Sequence, residues 1–193
     1  MNKNKYIVLC LFFLFNCDSK SQVELFPDYE FRYLENLVSE EVLFSPFSIK
    51  VPKGFNRFHK KDLSILKNKI DNDPGSFFNK EIIHGFSDSL NTALIISVVK
   101  DNNLLKRLDK DFKIYLNETN EEVVKNQYTI NSIRAVQYQT KNNLNNIGFT
   151  NLKIFLINGD SRNYLLDYII LDRNFNNKLY SIESSLSTLK RKK

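Results

Sequence analysis

Hydrophobic and polar positions alternate along several segments with the two-residue period of a β-strand. Residues 47–51 (FSIKV) alternate in this way and predict a half-buried strand that ends at Pro52 and Gly54. The run ALIISVV at 93–99 is apolar on both faces, which predicts a central strand covered on both sides. The full set of predicted strands is 47–51, 81–86, 92–100, 128–141, 149–157 and 163–172, with turns at 87–91, 131–132 and 158–160.

Other segments repeat their apolar residues every three or four positions, as one face of an amphipathic helix does. This spacing predicts helices at residues 28–43, 62–70, 103–116 and 179–190. The clearest is 103–116, where Leu104, Leu108 and Phe112 share a face opposite the charged residues. The chain has no internal repeat and no linker-like composition after residue 45, so we expect one domain over residues 46–190.

The first residues have the composition of an export signal. Lys3 and Lys5 precede an uninterrupted apolar run at residues 6–15, and polar chain follows. The apolar run is far shorter than the roughly 20 residues that span a bilayer. We therefore expect residues 1–16 to be a signal peptide and residues 17–45 to supply a tether and an N-terminal helix.

The signal ends at a cysteine whose context suggests a lipid anchor. The stretch LFNC at 14–17 resembles the lipobox of bacterial lipoproteins, although Phe15 and Asn16 stand where small residues are usual. The resemblance implies cleavage before Cys17, whose sulfur receives a diacylglycerol and whose new amino group is acylated, for example with palmitate. An ordinary signal peptide cut elsewhere and a cytosolic chain with a buried N-terminal helix are the alternatives. The polar residues 18–22 argue against the second alternative.

Composition and charge exclude two classes of function. The only cysteines are Cys10 and Cys17, so a processed domain has no thiol for catalysis or for a thiolate metal site. The formal net charge is +6, but Lys3 and Lys5 carry two of these charges and residues 190–193 carry four. The body is therefore close to neutral, which argues against a nucleic-acid partner. We expect the basic tail to be a solvated end, with attraction to anionic lipid headgroups as the alternative.

The order of the predicted elements and three short stretches resemble the PsbP/Mog1-like family. FSIKVPKGF (47–55) is similar to its opening strand, YTINSIRAVQYQ (128–139) to its middle strand and IESSLSTLK (182–190) to its closing helix. Phe55 stands where many members have Trp, and Asn131-Ser132 lacks the glycine common at that turn. The resemblance implies an α+β fold, a three-layer α/β/α sandwich with a mainly antiparallel sheet, and a binding or assembly module rather than a shared chemistry.

Few side chains suggest catalysis. His84 lies in a predicted strand with Asp88 four residues on, and such a pair can orient a general base. No serine in a nucleophile context accompanies the pair, so a half-exposed strand histidine is the favoured interpretation. Acidic pairs with no convergent metal-ligand spacing occur at residues 71/73, 109/111 and 121/122. We therefore expect no enzyme activity, no cofactor and no metal site.

Our first functional hypothesis is a membrane-tethered lipoprotein of the bacterial cell envelope whose domain binds another envelope protein or supports assembly. The anchor is Cys17, in the inner or the outer membrane, and Phe77 and Phe78 are the candidate partner surface because aromatic residues are enriched at interfaces. The first alternative is a module that binds a small ligand or lipid in a groove beside the sheet. A hydrolase that uses His84 and Asp88 is the less favoured alternative.

Overall fold

The computed structural model describes residues 26–71, 80–89, 92–101, 103–110, 123–144, 146–159 and 162–192. Its strands are β1 (Val38–Phe44), β2 (Phe47–Pro52), β3 (Asn56–Arg57), β4 (Lys80–Ser87), β5 (Ala93–Lys100), β6 (Val123–Ile130), β7 (Ile133–Leu144), β8 (Ile147–Ile157), β9 (Arg162–Leu171) and β10 (Lys190–Arg191). Its helices are α1 (Lys60–Asp71), α2 (104–110) and α3 (Phe175–Ser187). No helix among these residues is both long enough and apolar enough to cross a membrane.

The strands form two sheets whose pairings are antiparallel. The large sheet has the order β3-β4-β5-β9-β8-β7-β6, and the small sheet has the order β1-β2-β10. β5 lies inside the large sheet between β4 and β9, and Leu94, Ile96 and Val98 are fully buried. The predicted central strand is therefore confirmed, as is the predicted hairpin of β8 and β9.

Helices cover both faces of the large sheet. On one face, α3 and the small sheet share a core in which Ile182 and Leu186 meet Ile154 and Leu166. On the other face, α2 brings Leu104 and Leu108 against a separate cluster that includes residues from β7, β8 and β9. The predicted α+β fold with a mainly antiparallel sheet is therefore confirmed, and the small sheet is an addition to the layer of α3.

The helix predicted at residues 28–43 is wrong. A short 3-10 turn occupies Glu35–Leu37, and β1 begins at Val38. The register of β1 against β2 shifts between Val38 and Glu41, which marks a β-bulge. Val38 and Val42 are buried while the three residues between them are exposed, and this spacing of four imitates a helical face. β2 also differs from its prediction, because Ser48 is fully buried between Leu43 and Lys190 on the neighbouring strands.

The first described residues wrap the open edge of the large sheet at β6. The Tyr29 N–H donates to the Thr129 carbonyl at 2.9 Å, and the Thr129 N–H donates to the Pro27 carbonyl at 2.8 Å. Phe26 packs on the α2 side of the sheet, whereas Phe31 packs on the α3 side. This segment supplies hydrogen-bond partners for backbone groups of the edge strand β6 that would otherwise be free. The folded domain therefore begins ahead of residue 46.

Hydroxyl groups of α3 continue the pairing of β2 beyond the end of β10. β10 pairs with Phe47 and Ser48. The N–H and carbonyl of Lys50 are the next backbone groups of β2 that point to the β10 side. The Lys50 N–H donates to Thr188 Oγ1 at 2.8 Å, and Ser185 Oγ donates to the Lys50 carbonyl at 2.6 Å. The serine-rich closing stretch thus supplies the hydrogen bonds that a longer β10 would have made.

The turn between β6 and β7 holds the end of α3. Asn131 and Ser132 both have positive φ values, 46° and 65°, the left-handed conformation of a two-residue hairpin turn. The Asn131 side-chain amide donates to the carbonyls of Ser187 at 3.1 Å and Leu189 at 2.7 Å. A glycine could adopt this turn but could not make these bonds, which explains the departure from the glycine common in the resembling family.

The tail that we expected to be a solvated end is instead the third strand of the small sheet. Its side chains stay exposed, but Lys190 and Lys192 lie 3.1 Å and 2.9 Å from the Glu41 carboxylate of β1. The hydrogen bonds from Lys192 and Lys190 lower the pKa of Glu41 to about 2. Lys190 and Lys192 of the tail therefore form ion pairs with Glu41 of the same domain.

We predict that Ser185→Ala lowers the free energy of unfolding by about 1–3 kcal/mol, because it leaves the part-buried Lys50 carbonyl without its donor. The matched control is Ser181→Ala in the same helix, whose hydroxyl donates only to the Lys178 carbonyl of the preceding turn. We expect that control to change stability by about 0.5 kcal/mol or less. Urea unfolding measures both values, and equal losses in the two variants would contradict the role given to Ser185.

Candidate functional site

The predicted site residues lie partly outside the described chain. Cys17, Phe77 and Phe78 belong to segments that the structure does not describe, so the lipidation site and the partner surface stay predictions. Asp73, Asp111 and the acidic residues at 121/122 lie outside it as well. Within the described ranges, no group of three His, Cys, Asp or Glu side chains is placed to hold a metal ion.

His84 is held by the small sheet. Its ring lies half-buried on β4, and Nε2 is 3.0 Å from the Leu43 carbonyl of β1, to which a protonated Nε2 donates. Burial lowers the pKa of His84 from its ordinary value of 6.5, and the nearby charge of Arg57 lowers it further. The hydrogen bond to Leu43 acts in the opposite direction. His84 therefore links the two sheets as a neutral imidazole.

Asp88 ties the β4–β5 loop to α3. Its side chain is 4% exposed, and Oδ2 lies 2.5 Å from the Lys178 ammonium. Oδ1 accepts a hydrogen bond of 2.9 Å from the Thr92 N–H across the loop. Both carboxylate oxygens thus have structural partners, and His84 has a backbone partner of its own. The arrangement fits two separate structural contacts better than a catalytic pair.

A second ion pair lies part-buried in the middle of the large sheet. Lys153 on β8 and Asp167 on β9 are direct cross-strand neighbours, and their charged atoms are 2.6 Å apart. Asp167 is 6% exposed. Opposite charges at directly paired positions stabilise the register of two strands. Because each charge neutralises the other, this pair is a structural contact of the sheet.

The buried tyrosines also have structural roles. Tyr168 is fully buried and its hydroxyl is 3.4 Å from Ser185 Oγ, and burial raises its pKa. Burial likewise raises the pKa of Tyr128, whose hydroxyl donates to the Gln137 side chain at 2.6 Å. Both phenols are neutral at physiological pH. Tyr180, by contrast, is 54% exposed on α3.

An apolar groove lies at the end of the large sheet where β8 begins and β9 ends. It has a volume of about 730 Å³, is open to solvent, and is lined by residues 146–149 and 171–173. Phe149 and Leu171 face each other across the β8–β9 register. Successive side chains of a strand point to opposite faces of the sheet. Leu152 on β8 and Ile170 on β9 pack in the core on the α3 face. Ile147, Phe149 and Leu171 are each an odd number of residues from one of them, so they point to the opposite face. Ile147 is 51% exposed.

The two charged residues at the groove, Asp172 and Arg173, differ in whether they have a partner in the described part of the domain. Asp172 Oδ1 accepts a hydrogen bond from the Thr150 hydroxyl at 2.7 Å. A Cβ at Gly148 would clash with Asp172 Oδ2, so glycine is needed for the carboxylate to approach β8 this closely. Gly148 and Thr150 both point to the α3 face, away from the three apolar residues. Arg173 follows directly, and its side chain makes no hydrogen bond or ion pair with the described part of the chain.

This groove was not among the residues that the sequence singled out. It joins the β7–β8 hairpin to the 3-10 turn Asp172–Asn174, and the register of β8 with β9 brings these two segments together. The sequence signal that could have found it is the lone glycine at position 148, directly ahead of the predicted strand 149–157. The groove lies at the end of the large sheet, whereas the ligand-binding alternative expected one beside the sheet.

Comparison with solved structures supports the fold. The cyanobacterial PsbP of Synechocystis is 9% identical, with a TM-score of 0.54 over 80% of this chain and 93% of that chain. LpqN of Mycobacterium tuberculosis, a protein involved in cell envelope biogenesis, is 12% identical, with a TM-score of 0.48 over 76% and 83%. A Bacteroides thetaiotaomicron protein is 14% identical, with a TM-score of 0.44 over 77% of this chain, which spans only 46% of that protein.

No protein-family model matches the chain, and no curated protein matches it. The likeness to PsbP at this identity shows the fold alone, and it confirms the PsbP-like α+β architecture that the sequence predicts.

We predict that His84 makes the folded state less stable as the pH falls. Its pKa is lowered in the folded protein, so the unfolded chain binds the proton first, from about pH 6.5 downwards. The free energy of unfolding should therefore decrease between about pH 7.5 and 5.5, and His84→Gln should reduce this dependence. Urea unfolding at the two pH values measures it, with His59→Gln, at an exposed position, as the control. An unchanged pH dependence in His84→Gln would show that the imidazole is not the titrating group.

Proposed function

We propose that this chain is a lipid-anchored protein of the bacterial cell envelope whose PsbP-like domain is a non-catalytic accessory module that binds another envelope protein. One observation supports the proposal that the module is non-catalytic. The acid–base residues that the sequence offered, His84 and Asp88, are each engaged in joining structural elements. The likeness to PsbP supports the fold on which the module is built.

The lipid anchor rests on the lipobox-like LFNC ending at Cys17. Nine residue steps separate Cys17 from Phe26, where the described chain begins. At about 3.3–3.6 Å per residue, this tether reaches about 30 Å at most. An anchored domain therefore stays within about one domain diameter of the bilayer, which favours a partner that is itself embedded in or bound to the membrane.

The path of the chain supports an orientation for the anchored domain. Phe26 lies near Arg134, whose β7 position pairs with Ile157 at the end of β8. The groove is at the other end of β8, and a strand of eleven residues extends about 35 Å. The tether therefore enters the domain at one end of the sheet, and the groove opens at the opposite end. In this orientation the groove faces away from the membrane.

The anchor is tested by the mass of the mature protein. We expect the membrane form to begin at Cys17 and to carry acyl chains, and metabolic labelling with an alkyne-bearing palmitate to mark it. Cys17→Ala should abolish both, whereas Cys10→Ala, the other cysteine of the chain, should leave both unchanged. An intact mass that starts at an unmodified Met1 in the membrane fraction would rule out the anchor.

The accessory role is tested by cross-linking in living cells. We expect one envelope protein to co-purify in stoichiometric amount with the anchored form and to be lost with Cys17→Ala. Phe77→Ala and Phe78→Ala should weaken this cross-link if the two residues form the partner surface. Recovery of the chain without a partner would contradict the accessory role while leaving the anchor intact.

A further inference from the structure

We propose that the groove at residues 146–149 and 171–173 binds a single-chain amphipathic carboxylate, such as a medium-chain fatty acid. This site goes beyond the accessory role and does not depend on the lipid anchor. Its volume of about 730 Å³ falls within the range of about 300–1,000 Å³ for small-molecule pockets. Its concave shape suits one molecule better than a flat bilayer surface.

The apolar half of the ligand is indicated by Ile147, Phe149 and Leu171. Phe149 and Leu171 are directly opposite each other on paired strands, and Ile147 continues the same face to the end of the sheet. Ile147 is 51% exposed, so apolar surface beside the groove is open to water. Covering such surface with a hydrocarbon chain is favourable by about 25 cal/mol per Å².

The anionic half is indicated by the separation of Asp172 from Arg173. Asp172 also lines the groove, but its Oδ1 accepts a hydrogen bond from Thr150, and the missing side chain at Gly148 leaves room for its Oδ2 against β8. Arg173 is left at the rim of the groove without a partner among the described residues. A guanidinium presents a planar fork of donors that fits a carboxylate with two parallel hydrogen bonds.

Apolar lining and an unpaired guanidinium together specify the class of ligand. A neutral hydrocarbon would leave Arg173 unused, and a small inorganic anion would leave the apolar surface exposed. An amphipathic cation would meet the guanidinium with like charge. A hydrocarbon chain that ends in a carboxylate satisfies both parts of the site, with its head group at the solvent-exposed rim and its chain against β8 and β9.

The test uses the full chain in nanodiscs of neutral lipid and decanoate that carries a diazirine on its chain. We expect photolabelling to fall on residues 146–149 or 171–173, as mapped by mass spectrometry. Unlabelled decanoate should compete at least tenfold better than decanol, which has the same chain but no charge. Labelling elsewhere on the domain, or equal competition by decanol, would overturn the proposal.

Variants separate the two halves of the site. Arg173→Gln should weaken decanoate competition about three- to fivefold, the effect expected for a rim-exposed charge, and Arg173→Lys should restore part of it. Ile147→Asp should weaken it at least tenfold. The controls are Arg32→Gln and Ile65→Asp, which change exposed residues of the same types outside the groove and should have no effect. Wild-type competition in either groove variant would contradict the assigned role of that residue.

Discussion

The domain depends on the way α3 completes the hydrogen bonding of β2. β10 is only two residues long, and beyond it the Lys50 N–H and carbonyl face the helix. Thr188 and Ser185 satisfy these two groups, so the helix is joined to the small sheet by hydrogen bonds as well as by packing. The two then cover one face of the large sheet as a unit. Without those hydroxyls, buried backbone groups would lack partners, which costs about 1–3 kcal/mol each.

Most elements of the large sheet could be predicted because their patterns are local. The strands around residues 93–99, 149–157 and 163–172 have apolar runs that any buried strand shows. The helix at 28–43 was wrong because, near a β-bulge, the three residues between the buried Val38 and Val42 are exposed, and a spacing of four between buried residues is also that of a helix. The small third strand was missed because Lys190 and Arg191 have the composition of a solvated tail. Their pairing depends on Glu41 and Ser48, which lie far away in the sequence.

The candidate site was less predictable than the fold. A groove between a hairpin and a 3-10 turn exists only once the register aligns Phe149 with Leu171, and no local pattern encodes that alignment. The sequence could identify candidate acid–base residues, but it could not show that Leu43 and Lys178 occupy them. Those partners come from β1 and α3, so the role of His84 and Asp88 is decided by tertiary structure.

The acidic side chains of the domain serve its structure. Asp88, Asp167 and Glu41 are each paired with lysine, and these ion pairs join strands or helices. A sheet held in this way has a fixed shape, and a groove at its end is formed before any ligand arrives. Arg173 is the charge at that end which the structure leaves without a partner among the described residues. The first described residue, Phe26, lies at the opposite end of the sheet, beside Arg134, so the chain and the groove are at different ends of the domain.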